Sequence, residues 1–140
     1  MPSWTLYASL SAVFAGLVPV LGKRGLTGVD STLATAVRSA IMTAFLLTTA
    51  GLGGKLAGAT RLDRAALTAI ALSGVAGALS WLFYFLALRD GPVAAVAGVD
   101  RTSVIFAVVL AALFLAEPIT PRTIAGSILV AAGALLMALK

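Results

Sequence analysis

Three charged side chains fall inside otherwise apolar stretches of this chain: Arg38, Asp100 and Arg101. Groups that stack or hydrogen-bond accompany them, namely Trp81, Tyr84, Ser80, Thr102 and Ser103. An isolated acid can exchange a proton, an arginine can hold an anion through its planar donors, and an indole or phenol ring offers an apolar wall or a face for a cation. The chemistry within reach is therefore binding and proton exchange. The chain has no cysteine and no histidine, which removes thiol nucleophiles, disulfides, imidazole acid–base catalysis and metal sites built on those residues. Its five acidic residues are too few and scattered for an oxygen cage around a metal, and a Ser–His pair is impossible. No enzyme active site, cofactor or metal centre is expected.

The elements that must position these residues follow from composition. Of the 140 residues, 61% are hydrophobic and only 11% charged, with a mean hydropathy of +1.09. A soluble domain is about 45–50% apolar and about a quarter charged, so water is not the solvent of this chain. A bilayer core about 30 Å thick needs about 20 apolar residues at 1.5 Å rise, and five runs fit: residues 4–21, 31–51, 65–88, 93–115 and 123–139. The expected fold is an all-α integral membrane protein of the cell membrane, one domain over residues 1–140 with five transmembrane helices. The first run resembles a secretory signal in length, but it lacks a basic start and is followed by Lys23 and Arg24, so it is read as a span.

Turn and cap chemistry separates the runs. Asp30 or Ser31 suits the start of the second helix, Asp63 that of the third, and Thr120 with Pro121 that of the fifth. Gly91 and Pro92 part the third from the fourth, while the glycines between Gly51 and Arg64 read as a flexible loop. The formal charge is +5, yet the cations sit singly at the ends of apolar runs. They read as lipid-headgroup anchors and topology signals, and nucleic acid is not an expected partner. Trp4 and Tyr7 read as an interfacial belt.

Alternating helices place Lys55, Arg61, Arg64 and Arg122 on one side, and Lys23, Arg24, Arg89 and Lys140 on the other. Orientation follows a bias in Lys and Arg beside the spans, and the loops carry none. Two readings follow: the chain inserts both ways and pairs as an antiparallel homodimer, or one orientation is fixed, either because the start methionine and translocation kinetics decide it or because Arg38 and Arg101 tip the count.

Charges inside a span cost at least about 2.5–3.5 kcal/mol each and are functional by default. Arg38 and Asp100 each lie seven residues into helices that start from the same side, about 10 Å below the surface. Trp81 and Tyr84 reach that layer near the end of the third helix. Either Arg38 and Asp100 form a structural ion pair, or they line a water-filled cavity with the aromatic residues and bind substrate or exchange protons. Arg101, about 100° further round its helix, would point elsewhere, to the surface or to a partner chain.

Glu117 at the end of the fourth span is disfavoured by the helix dipole, and Arg122 is its expected partner. Small residues mark expected contact faces: Ala8, Ala12 and Gly16 on the first helix, Gly74 and Gly77 on the third, Gly126 and Gly133 on the fifth.

From the glycine-rich start of the third helix, the chain passes through W-L-F-Y-F-L-A-L to a basic residue, then G-P-V-A, then F-A-V-V-L-A-A-L-F-L-A-E-P-I-T ending in Glu117, then A-G-S-I-L-V-A-A-G. With A-T-A-V-R-S-A around Arg38, this order resembles the EamA domain of the drug/metabolite transporter superfamily over roughly residues 30–140. The chain departs from the common pattern in two places. Ser103 and Val104 stand where many members have Glu-Pro, and Ala116 stands where a glycine usually precedes the glutamate.

Members are mostly ten-helix proteins made of two such units, and because five is odd the units are inverted. The resemblance implies a short member equal to one half of an inverted-repeat transporter. Such a unit would work as an antiparallel homodimer that alternates access around a cavity lined by the first four helices, moving a small metabolite or drug-like solute. The residues assigned to substrate or ion binding are Arg38, Asp100, Trp81, Tyr84, Arg101 and Ser103, with Asp100 as the ionisable group. The alternative is a non-transporting accessory subunit, or a heteromeric partner such as a lipid-flippase subunit, in which the buried charges only hold helices together.

Overall fold

The computed structural model describes residues 2–139. It is helical throughout: α1 spans Ser3–Gly25, α2 Ser31–Leu52, α3 Arg64–Asp90, α4 Val93–Asp100, α5 Ser103–Leu115 and α6 Pro121–Ala138. The loop between α2 and α3 is not wholly irregular, because Leu56–Arg61 winds into a 3₁₀ helix. Among the described residues five spans are long and apolar enough to cross a bilayer, with α4 and α5 together making the fourth.

The caps fall where the sequence requires them. Asp30 accepts from the Thr32 and Leu33 amides at 2.9 and 3.0 Å, and Asp63 from the Ala66 amide at 2.7 Å. Thr120 accepts from the Thr123 amide at 3.2 Å, with Pro121 in the first turn, where its missing N–H leaves nothing unpaired. The α5 helix ends on Ala116 in the left-handed region, φ 55° and ψ 28°. Only here among the described residues does a non-glycine hold a positive φ.

Lys140, one of the counted anchor charges, lies outside the described residues. Lys23 does more than anchor: its ammonium donates to the Gly91 carbonyl at 3.1 Å and is half-buried.

The chain divides into two units, one from Arg24 to Arg89, the other formed by the flanking segments that end at Lys23 and resume at Asp90. In the first, the buried residues are Leu26 in the turn before α2, Ser31 and Thr35 at the start of α2, and Tyr84, Phe85 and Leu88 near the end of α3. In the second, α4 packs closely on α6, with Gly98 and Ala134 buried. Large apolar side chains elsewhere face outward, Phe45 and Phe114 being 71% and 79% exposed. Apolar faces on this scale fit lipid, not water.

The small-residue faces depart from expectation. A Cβ added at Gly16, Gly74, Gly77, Gly126 or Gly133 meets nothing within 4 Å, whereas one at Gly98 meets Met137 Cε at 2.7 Å and its Cβ at 3.2 Å. The tight helix contact is thus at Gly98, between α4 and α6.

Candidate functional site

In the Arg24–Arg89 unit the site is built on two helices. Successive positions 81, 84 and 85 share one side of α3, since three and four residues nearly complete a turn. Their rings meet edge to face: Trp81 lies 5.6 Å from Tyr84 and 6.1 Å from Phe85, centroid to centroid. That geometry sets the positive ring edge against the negative ring face.

Arg38 of α2 completes the cluster. Its guanidinium carbon sits 3.7 Å above the Trp81 ring and 5.6 Å from Phe85. A planar cation over an indole is the strongest of the side-chain cation–π arrangements. The rings satisfy its charge but not its donors, and the buried Nη1 has no hydrogen-bond partner. An unpaired donor out of water costs about 1–3 kcal/mol. Ser31, one turn from Thr35, is fully buried and its Oγ is likewise unpartnered.

The second cluster lies where the fourth span breaks. The sequence suggests one helix over 93–115, but α4 stops at Asp100 and α5 starts at Ser103. Across the break the amides reach back three residues: Thr102 donates to Val99 at 3.0 Å, Val104 to Arg101 at 3.2 Å and Ile105 to Thr102 at 2.9 Å. The Thr102 hydroxyl adds a bond to the Val99 carbonyl at 2.7 Å. Local side-chain bonds of this kind compete with the regular ladder, and a 3₁₀ stretch inside a helix marks strain or a hinge. Here it coincides with the charges of the span. Arg101 Nη2 stands 4.0 Å from Asp100 Oδ2, the outer limit of an ion pair, with the Arg101 side chain 58% exposed. Ser103 is exposed at the first turn of α5.

Thus Arg38, Trp81 and Tyr84 come together in one cluster, and Asp100, Arg101 and Ser103 lie together at the break. Phe85 was not among the residues singled out from sequence. Its spacing of four from Trp81 was the available signal. The expected Glu117–Arg122 pair is absent among the described residues, and both side chains are exposed. The Glu117 amide instead donates to the Ala111 carbonyl at 3.3 Å. No group of three or more His, Cys, Asp or Glu able to hold a metal occurs among the described residues.

Residues 2–139 match the EamA-like transporter family. The chain is also 35% identical over 136 residues to a protein of Sinorhizobium sp described as an "Uncharacterized transporter in cobO 3'region", covering 97% of this chain and 96% of that one. No solved structure gives a significant match.

Proposed function

The chain belongs to the EamA-like transporter family, a family of membrane transporters, and from that premise we propose that it is a secondary transporter of a small organic solute working as an antiparallel homodimer. The observation that carries the binding site is Arg38: its charge is stacked on Trp81 and its Nη1 donor is buried without an acceptor. A solute with a carboxylate, phosphate or carbonyl oxygen supplies that acceptor, and Trp81, Tyr84 and Phe85 supply the apolar wall. Asp100 is the proton-exchanging group. Its place at a broken helix supports the assignment, because discontinuous helices recur at transporter binding sites and hinge motion needs an interrupted ladder.

Alternating access follows from pairing two oppositely inserted copies, each five-span chain being one repeat. Arg101 and Ser103 extend the polar layer at the break. The absence of cysteine gives a direct test, since a Thr60→Cys variant carries the only thiol, on an exposed connection. Labelling with a membrane-impermeant reagent before and after permeabilisation should reach about half the molecules from outside, as equal insertion in both directions requires. Labelling from one side alone would remove the antiparallel homodimer.

A further inference from the structure

A cleft lies in the unit formed by the flanking segments, built from residues other than those of the Arg38 stack. It is a cleft of about 450 Å³ between Ala12, Ala15, Gly16 and Pro19 of α1, Val93, Ala94, Ala97 and Gly98 of α4, Met137 of α6, and Arg101. Small residues on facing helices ordinarily let the backbones close together. These do not close: at Gly16 a Cβ would meet nothing within 4 Å. The volume falls in the range of about 300–1,000 Å³ that holds a drug-sized molecule.

The lining contains one charged group, and it is a cation. Arg101 offers five N–H donors, of which Asp100 takes up at most a loose contact at 4.0 Å. Its guanidinium makes no hydrogen bond among the described residues. Apolar walls ending at an arginine inside a membrane span select an occupant of matching design.

We propose that this cleft binds a single-chain or compact organic anion, its apolar body between α1 and α4 and its charge on Arg101. The size of the cleft favours one chain over a whole two-chain phospholipid. The cleft shares Arg101 with the polar layer of the transport reading but includes none of the Arg38 stack, so protection of the cleft and the orientation test of the homodimer can fail separately.

The test uses an Ala94→Cys variant, which places the only thiol of the chain on the cleft wall, reconstituted in phosphatidylcholine nanodiscs. Decanoate is the probe. At a concentration roughly ten times its Kd it should slow maleimide labelling about tenfold by simple occupancy. Decanol and decyltrimethylammonium should give no such protection. Adding Arg101→Gln should abolish the protection. Adding Gly16→Leu, whose side chain enters the open space, should also abolish it without touching the charge and keeps the test alive where the arginine variant fails to fold.

Equal protection by decanol would overturn the proposal, as would equal slowing at a Phe106→Cys control on the outward face of α5, where Phe106 is 69% exposed. Protection in phosphatidylglycerol nanodiscs without decanoate would assign the cleft to a lipid headgroup and overturn it as well.

Discussion

Arg38 shows how a residue too costly to place in lipid without reason announces itself. Its contact with Trp81 depends on a planar guanidinium, so Arg38→Lys keeps the charge and loses the stack. The expected loss is about 1–2 kcal/mol of stability, between the worth of an exposed and of a desolvated cation–π contact, as suits a half-buried guanidinium. In a Trp4→Phe background, Trp81 emission should shift with the same substitution, and unchanged emission would refute the stack. Ala116 illustrates the opposite case. The sequence departs there from the glycine usual before the glutamate, and the backbone needs a left-handed residue, which costs an L-amino acid roughly 1–2 kcal/mol. Ala116→Gly should therefore raise the thermal unfolding midpoint in detergent, by the equivalent of about 1 kcal/mol after the entropy cost of glycine. A lower midpoint would contradict this. Arg38, Trp81 and Tyr84 were legible because charge in a span is rare and helical rise fixes depth. Phe85 was not singled out, because its only signal was a spacing of four from Trp81, and one more aromatic residue in an apolar run stands out little.

At the scale of elements, the spans and their caps could be read because hydropathy and cap chemistry are local. The break in the fourth span could not. Asp100, Arg101, Thr102 and Ser103 are all compatible with a helix, and the uninterrupted hydropathy of 93–115 conceals a change in hydrogen-bond register. The shift to three-residue bonds predicts that amides 101–104 exchange with solvent faster than those in the middle of α5, measured by hydrogen exchange in nanodiscs. Uniform protection across the span would restore a continuous helix. Within one copy the contact faces were not legible, because spacing identifies small residues but not what lies opposite. Gly98, four residues after Ala94, was not singled out and yet carries the closest approach. A Gly98→Leu substitution drives its Cβ into Met137 and should destabilise the protein by about 1–3 kcal/mol through overpacking. Met137→Ala should recover part of that loss, and no recovery would place the strain elsewhere.

For the molecule as a whole, an odd number of spans makes orientation the controlling variable. On the proposed reading one copy supplies one repeat, and the inverted-repeat arrangement calls for another of opposite insertion. Balanced Lys and Arg in the loops supply no directional bias, so a few charges should decide the outcome. Gly58→Lys with Thr60→Lys adds positive charge to the α2–α3 connection, and Lys55→Gln with Arg61→Gln removes it from the same connection. Each variant expressed alone should label from one side only and lose transport. Co-expression should restore transport, since the two biased chains together reproduce the mixed population. Activity from either uniformly oriented variant alone would show that transport does not need inverted pairing. The loss alone would be ambiguous, because a damaged loop also abolishes activity. Recovery by a second, separately inactive chain is not, because damage to two loops does not sum to function, whereas opposite orientations do.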